Sequence, residues 1–213
     1  MTSYPSMRPA AVPSTGGRGR AIRNALVTIV LFVGALWLIE LVDVADHHSL
    51  DRWGILPRTE EGLRGIAFAP LLHAGWDHLA SNSVPALVLG FVGLLAGAAR
   101  FLSATVFVWL FSGAGVWLTG QGHTVTIGLS GVIFGWMTYL VVRGFFNKSI
   151  VQILVGVVLL VLYGTMFLGV LPGQPGVSWQ AHLFGAIGGV LAAAALGRPK
   201  HRTSKQVDVM ATG

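Results

Sequence analysis

A serine and a histidine lie inside two strongly apolar stretches of this chain, where polar side chains are costly. Ser130 stands between glycines in the motif Gly128-Leu129-Ser130-Gly131, and His182 lies in the last apolar stretch. Ionisable side chains within membrane spans are rare and usually mark a functional site. An imidazole can take the proton of a serine hydroxyl and so activate that hydroxyl as a nucleophile. The pair therefore predicts nucleophilic chemistry carried out within a bilayer.

A second group of polar side chains lies at the start of an earlier apolar stretch. His78 and Asn82 are four residues apart, so they share one face of a helix, while His73 is expected in the preceding loop. A tetrahedral intermediate formed on Ser130 would need hydrogen-bond donors for its oxyanion. The side chains of His78 and Asn82 can supply such donors.

Four further residues are expected to position these groups. Gly128 and Gly131 let the backbone bend beside the serine and approach a substrate closely. Phe134 lies one helical turn after the serine, where it can pack against the histidine ring. Gly185 leaves room for the two helices that carry serine and histidine to touch. No carboxylate is found near these groups in the apolar stretches, so a dyad is predicted rather than a triad.

The composition is that of a membrane protein. Of the 213 residues, 54% are hydrophobic and 10% are charged, whereas about 25% of an average soluble domain is charged. Cysteine is absent, which excludes disulfides and thiolate metal sites. The net charge is +6. Because the basic residues stand beside apolar stretches, we expect them to contact anionic membrane lipids and not nucleic acid.

Six apolar stretches are candidate transmembrane helices. They are predicted at residues 24–42, 78–98, 101–119, 129–142, 150–170 and 179–196. A span needs about 20 residues to cross the hydrocarbon core, so the fourth is short and Ser130 at its start should lie below the membrane surface. The first stretch resembles a signal peptide but is long and lacks a small-residue cleavage site. The predicted fold class is an all-α polytopic membrane protein with a bundle of six transmembrane helices.

The spans divide the chain into a membrane domain and two basic tails. Residues 1–23 are rich in Pro, Ser, Gly and Arg and are predicted to be a disordered tail. Residues 24–197 would form the membrane domain, with residues 43–76 as a structured interfacial loop, and residues 198–213 a second tail. Most Lys and Arg residues fall on the side of the tails, and positive loops stay cytoplasmic. Both termini are therefore expected in the cytoplasm, with the domain in the cytoplasmic (plasma) membrane.

These motifs resemble the rhomboid family of intramembrane serine proteases. The matching pieces, in the family's order, are His73-x4-His78-x3-Asn82, Gly128-Leu129-Ser130-Gly131 and Ala181-His182-x2-Gly185-x3-Gly189. The resemblance covers residues 24–197 and implies a six-helix bundle with a water-filled cavity open to the outer side. It implies Ser130 as nucleophile and His182 as general base. It also implies His78 and Asn82 as oxyanion partners, with cleavage of transmembrane helices in other proteins.

Two positions depart from the family's pattern. Many members have a Trp-Arg pair in the first loop, whereas this chain has Leu63-Arg64-Gly65 there. We therefore expect the first loop to differ in detail. Many members also have tyrosine four residues after the serine, where this chain has Phe134. Phenylalanine keeps the stacking on histidine but lacks the phenol hydrogen bond.

The predicted function is an intramembrane serine endopeptidase that acts on transmembrane segments of membrane-protein substrates, without cofactor or metal. Metal is disfavoured because His73 and His78 do not share a helical face, and no acidic or cysteine ligand accompanies them in the spans. The alternative is an inactive rhomboid-like protein that binds membrane clients, although such a relative would normally have lost Ser130 or His182. A transporter would be expected to show an inverted repeat, and the sequence has none that we find.

The loop between the fifth and sixth predicted spans is a candidate entrance. Residues 171–176 include two prolines and two glycines and lie near the histidine in the sequence. We expect this loop and the end of the fifth span to move when a substrate helix enters.

Overall fold

The computed structural model describes residues 15–197 of the chain. Its helices are α1 (Thr15–Ala45), α2 (Glu60–Phe68), α3 (Trp76–Leu95), α4 (Ala98–Thr119), α5 (Ser130–Phe146), α6 (Ile150–Tyr163) and α7 (Trp179–Leu196). Short 3₁₀ segments occur at Ser49–Trp53, Ala69–Leu71 and Gly164–Val170. The described residues form no strand, and one isolated bridge pairs Ile55 with Thr126. The predicted all-α class is confirmed.

The six predicted spans correspond to α1, α3, α4, α5, α6 with its 3₁₀ extension, and α7. Five of them are long and apolar enough to cross a membrane: Gly17–Ala45, Trp76–Leu95, Ala98–Thr119, Ile150–Val170 and Trp179–Leu196. The remaining helix, α5, is apolar but has only 17 residues. It is the fourth span along the chain, which was predicted to be short. The chain is thus an integral membrane protein with a six-helix bundle, and α2 is a short helix in the first loop.

Two predicted boundaries are wrong. Helix α1 begins at Thr15, so residues 15–23 are helical and not disordered, because a helix can continue past the hydrocarbon where hydropathy no longer marks it. Helix α3 ends at Leu95 instead of residue 98, since Gly97 adopts φ +140° and is the N-cap of α4. The fifth span has its predicted bounds, Ile150–Val170, but it is α-helical only to Tyr163 and continues as a 3₁₀ helix, where Gly164 and Gly169 lower helix propensity. The rest of the predicted N-terminal tail and the tail at residues 198–213 lie outside the described residues.

Helix α5 occupies the centre of the bundle. All ten of its residues from 131 to 140 are buried, and it contacts α3, α4, α6 and α7. Its closest approach is to α7, where a Cβ on Gly185 would overlap the carbonyl oxygen of Gly131 and a Cβ on Gly189 would overlap that of Gly135. Small residues at such spacing let helix backbones touch in lipid, and Gly185 lies at such a contact between α7 and α5.

The first loop is structured, as its polar and aromatic content predicted. Thr59 caps α2 by accepting a hydrogen bond from the Gly62 amide at 3.0 Å. The Arg64 guanidinium lies 4.5 Å from the centroid of the Trp53 ring, a cation–π arrangement. Trp117 of α4 donates to the Thr59 carbonyl at 2.9 Å. The loop is thereby fastened to the end of the bundle at which α5 begins, which we call the Ser130 end.

Candidate active site

A tight turn places Ser130 at the first residue of α5. Gly128 has φ +119°, a region that favours glycine because a side chain would be strained there. The Gly128 amide donates to the Ala69 carbonyl at 2.8 Å, which holds the turn against the first loop. The serine hydroxyl therefore emerges at a helix N-terminus from a fixed backbone position.

His182 lies on α7 with both ring nitrogens engaged. Its Nε2 is 2.9 Å from the Ser130 Oγ, and its Nδ1 is 2.8 Å from the Gly169 carbonyl oxygen. A carbonyl oxygen can only accept a hydrogen bond, so we assign the ring proton to Nδ1. This tautomer leaves the lone pair of Nε2 free to accept the hydrogen of the Ser130 hydroxyl. The side chain is buried, with 8% of the residue exposed.

The ring of Phe134 lies flat against His182. The ring centroids are 4.0 Å apart and the planes differ by 8°, so the predicted stacking is present. Phe167 packs edge-on against the Phe134 ring, with the two ring centroids 6.3 Å apart. Together with the two hydrogen bonds, the stacking leaves the imidazole little freedom to rotate.

Helices α4, α5 and α7 meet beside the site, and a hydrogen bond joins α4 to α7 there. Ser112 of α4 donates through its hydroxyl to the Ala181 carbonyl at 2.9 Å, in the turn that precedes His182. A Cβ on Gly131 would lie 2.5 Å from that same hydroxyl oxygen and 3.0 Å from the Ala181 carbonyl oxygen. Gly131 is therefore required for three helices to meet directly beneath the serine.

His78 lies directly beside the turn that precedes the serine. A Cβ on Gly128 would be 2.6 Å from the His78 Cε1 and 2.8 Å from its Nε2. The His78 Nδ1 accepts a hydrogen bond from the Ala74 amide at 3.4 Å, which assigns the proton of a neutral ring to Nε2. His78 therefore presents an N–H donor next to Gly128, the position expected of it.

Asn82 is buried one turn further along α3. Its amide nitrogen donates to the His78 carbonyl at 2.8 Å, and among the hydrogen bonds of residues 15–197 none joins Asn82 or His78 to Ser130. The amide group carries two hydrogens, so one remains for another acceptor. The structure brings His78 to the serine turn and holds Asn82 within its own helix.

His73 occupies the segment before α3, as predicted, and also contacts the turn that precedes the serine. It is 1% exposed, and its Nε2 accepts a long hydrogen bond of 3.5 Å from the Leu129 amide. Burial, and secondarily the neighbouring His78, lowers the pKa of His73 to about 4. The two imidazole rings meet edge-to-face at 5.1 Å. The sequence spacing did not reveal this contact, because it forms across a loop and not along a helix.

A cavity of about 390 Å³ leads to the histidine. Its lining comes from α5, the 3₁₀ segment after α6, the following loop and α7, and consists of Phe134, Thr165, Met166, Leu168, Gly169, Gln174, Val177 and His182. Two of these residues, Gln174 and Val177, lie in or beside the loop predicted as an entrance. Ser130 is not part of this lining, but its hydroxyl lies 2.9 Å from the Nε2 of His182, which is.

The Gly169 carbonyl is the functional group that sequence reasoning missed. A backbone carbonyl has no side-chain signature, and the only available signal was the glycine itself. A Cβ there would lie 2.9 Å from the His182 Nδ1 and 3.1 Å from the Phe134 ring, so this position must be glycine for the carbonyl to approach the imidazole. In the part of the chain that is described, the one group of three side chains with metal-ligand spacing lies at the C-terminal end of α1, away from these residues.

Comparison with known proteins places this geometry in context. A family model described as the rhomboid domain matches residues 60–199. An uncharacterised protein of Mycobacterium tuberculosis is 48% identical over 183 residues, which are 82% of this chain and 76% of that protein. One of Mycobacterium leprae is 48% identical over 185 residues, or 83% of this chain and 73% of that protein. A protein of Acanthamoeba polyphaga mimivirus named as a rhomboid protein is 30% identical over 143 residues, or 63% of this chain and 76% of that protein.

Proposed function

This chain belongs to the rhomboid family, and from that premise we propose that it is an intramembrane serine endopeptidase. The observation that carries the proposal is the 2.9 Å separation of Ser130 Oγ and His182 Nε2 within a membrane bundle. A nucleophile and a base within hydrogen-bonding reach, with the base oriented by a third group, is the arrangement that covalent catalysis by serine needs. Here the third group is the Gly169 carbonyl, 2.8 Å from His182 Nδ1.

The two side chains would act in sequence on a peptide bond. Ser130 Oγ attacks the carbonyl carbon while its proton passes to His182 Nε2, which gives a tetrahedral intermediate and an imidazolium. Collapse of the intermediate breaks the C–N bond, and the imidazolium gives its proton to the departing amine. A water molecule, deprotonated by His182, then hydrolyses the acyl-enzyme and restores the serine.

The negative oxygen of the intermediate would find donors on two sides. The backbone amides of Ser130 and Gly131 lie at a helix N-terminus and donate to no acceptor in the described chain, as expected for the first turn of a helix. The assigned Nε2–H of His78 lies beside Gly128, and the second amide hydrogen of Asn82 has no acceptor among the described residues. These groups are our proposal for the oxyanion hole.

The packing of α6 supports the proposal that this helix forms part of a gate. Only 11% of the fifth span is buried, against 39% for α7. Helix α6 packs closely at the end far from Ser130, where a Cβ on Gly156 would lie 2.6 Å from the Val141 carbonyl oxygen. We propose that its other end, the 3₁₀ segment and the loop of residues 171–176 move to admit a substrate helix, and Gly169 would move with them.

The substrates proposed are transmembrane helices of other membrane proteins. A peptide bond in a helix is shielded by the helix's own hydrogen bonds, so the segment must unwind before attack. Substrates are therefore expected to carry helix-breaking residues near the cleaved bond. We also propose that both termini are cytoplasmic, in a cytoplasmic (plasma) membrane, because this places most Lys and Arg residues on the cytoplasmic side. The Ser130 end then faces outward.

Cleavage of a model transmembrane substrate in liposomes tests the proposal. Wild-type protein should cut the substrate, while Ser130→Ala and His182→Ala should leave it intact although both variants fold. Ser103→Ala, at an exposed position on α4, is the matched control and should cleave normally. Turnover by Ser130→Ala equal to wild type would refute the assignment of the nucleophile. Substrate binding without cleavage by the wild type would instead favour a client-binding protein.

A further inference from the structure

Three carboxylates and a histidine lie at the C-terminal end of α1, outside the site described above. Glu40 and Asp43 stand about one helical turn apart on α1, and His48 and Asp51 follow in the turn and the 3₁₀ segment after it. One ligand atom from each of Asp43, His48 and Asp51 lies within 4.8 Å of the other two. Metal–ligand distances of about 2.0–2.2 Å for oxygen and nitrogen separate two ligand atoms of one ion by up to about 4.4 Å, so a small movement of these side chains lets one ion contact all three.

Buried carboxylate oxygens in this cluster have no partner. Glu40 and Asp43 are each 1% exposed, yet Glu40 Oε1, Asp43 Oδ2 and Asp51 Oδ1 make no hydrogen bond to any described residue. Glu40 lies outside the group of three, about one helical turn before Asp43 and so on the same face of α1. Buried charges are normally paired or coordinate metals. A positive charge bound among these unpartnered oxygens would therefore stabilise the folded protein.

The described part of the chain does not supply enough positive charge. Its one ion pair joins His48 Nδ1 to Asp43 Oδ2 at 3.5 Å, and a single imidazole cannot neutralise three carboxylates. The other oxygen of Asp43 is already occupied, because Oδ1 accepts from the Leu50 amide at 2.7 Å. This hydrogen bond fixes the carboxylate so that Oδ2 is directed at His48.

We propose that Asp43, His48 and Asp51, with the buried carboxylate of Glu40 one helical turn away, form a binding site for a divalent cation that takes mixed oxygen and imidazole ligands, such as Zn²⁺ or Mn²⁺. Carboxylate and imidazole together suit these ions, whereas Ca²⁺ and Mg²⁺ are bound by oxygen ligands. The sequence predicted no metal site. That prediction considered the histidines in the spans as ligands and did not consider this cluster. It does not depend on the proposed protease activity.

The positions of the three ligands give the site a structural consequence. Asp43 belongs to α1, whereas His48 and Asp51 belong to the turn and the 3₁₀ segment of the first loop. An ion bound here would connect the end of α1 to the first loop. Bound Zn²⁺ or Mn²⁺ should therefore raise the thermal stability of the protein.

The test is metal binding to the full chain in detergent, with any affinity tag removed and bound metal stripped by a chelator. Titration with Mn²⁺, followed by the loss of the free-ion electron paramagnetic resonance signal, should show one site, and Zn²⁺ should displace the Mn²⁺. Asp51→Asn and His48→Asn should each weaken binding by at least about tenfold, as loss of a ligand does. Asparagine suits position 48, where φ is 58°.

The control is Asp46→Asn, because Asp46 is exposed in the same turn but lies outside the cluster. Its affinity for Mn²⁺ and its stabilisation by Zn²⁺ should match those of the wild type. Three results would overturn the proposal: no binding by folded wild type, equal weakening in Asp46→Asn, or tighter binding of Ca²⁺ than of Zn²⁺. If the folded wild type binds no ion, protons would be the neutralising species, since burial and the adjacent Asp43 carboxylate raise the pKa of Asp51.

Discussion

Helices α5 and α7 on one side of the candidate active site, and α6 with its 3₁₀ extension on the other, are packed in opposite ways. In α5 every residue from 131 to 140 is buried, and glycines bring its backbone against that of α7. Helix α6 exposes most of its surface and buries only Gly156 and Leu159. Ser130 and His182 are thus held by the rigid pair, while the carbonyl that orients His182 belongs to the loosely packed side.

This difference assigns separate tasks to the two sides. The rigid pair sets the distance between nucleophile and base, which a reaction requires to be nearly constant. The loosely packed side borders the cavity and supplies the Gly169 carbonyl. Substitutions on the rigid side should therefore affect both folding and activity, whereas substitutions on the loose side should affect activity with little change in stability.

Among substitutions that test this difference in packing, the largest effect is expected from Gly185→Ala, which disturbs the contact of α5 and α7. The new Cβ would overlap the Gly131 carbonyl oxygen and push α7 away from α5. A displacement of about 1 Å can lower a rate by about 100-fold, and overpacking costs about 1–3 kcal/mol. Cleavage assays and thermal denaturation check both. Gly34→Ala, in α1 with open space around it, is the control, and an equal result in the two variants would contradict the account.

Asn82→Ala tests the contribution of α3, the helix that carries His78 and Asn82 beside the serine turn. Loss of one oxyanion donor lowers turnover on the order of 100-fold, and less where His78 and the backbone amides compensate. Because the donor acts on the transition state, kcat should fall while KM changes little. Ser81→Ala removes an exposed hydroxyl that also donates to the His78 carbonyl and should keep wild-type kinetics. Equal changes in kcat and KM would indicate that Asn82 only packs.

Gly169→Ala tests the loosely packed side and should have a smaller effect. The added methyl would press on the His182 ring and on Phe134, so the imidazole would lose its orienting hydrogen bond. We expect turnover to fall about tenfold, a fraction of what general base catalysis contributes, with the thermal midpoint nearly unchanged. Gly164→Ala, in the same segment but with its nearest neighbour at 3.8 Å, should behave as wild type. Unchanged turnover in Gly169→Ala would show that the carbonyl is dispensable.

The last effect concerns stability alone, with no change in activity expected, and involves His73. Its pKa is lowered from 6.5 to about 4 in the folded protein, so between these pH values the unfolded chain binds more protons. Stability should then fall as the pH decreases from 6.5 to 4, by at most about 3 kcal/mol. Thermal denaturation across this range should show a weaker pH dependence for His73→Gln than for wild type. The exposed His123→Gln is the control, and parallel profiles for all three proteins would contradict the burial of a neutral His73.

The sequence predicted those parts of the fold and site that depend on side-chain type and spacing. Apolar stretches located the six spans, and the four-residue spacing of Phe134 from Ser130 predicted a stack that is present at 4.0 Å. The glycine at position 185 predicted the contact of two helices. Each of these predictions used only residue types and the spacing of residues within single helices.

The features that the sequence did not predict depend on backbone groups or on contacts between distant segments. The Gly169 carbonyl, the contact of His73 with Leu129 and the bridge of Ile55 with Thr126 have no local pattern. The 3₁₀ continuation of the fifth span was hidden by its uniform apolarity. Asp43 and Asp51 were assigned to a polar loop and Glu40 to the end of the first span, since sequence alone does not show that Glu40 and Asp43 are buried.

Labelling with a fluorophosphonate is the measurement that tests the central claim most directly, because it reports an activated serine without a known substrate. The detergent-purified wild type should become labelled at Ser130, as located by mass spectrometry of the modified peptide. Ser130→Ala should lose the label because the nucleophile is absent. His182→Ala should lose it because the 2.9 Å partner of the serine hydroxyl is gone. Labelling of His182→Ala at the wild-type rate would contradict the claim that this histidine activates Ser130.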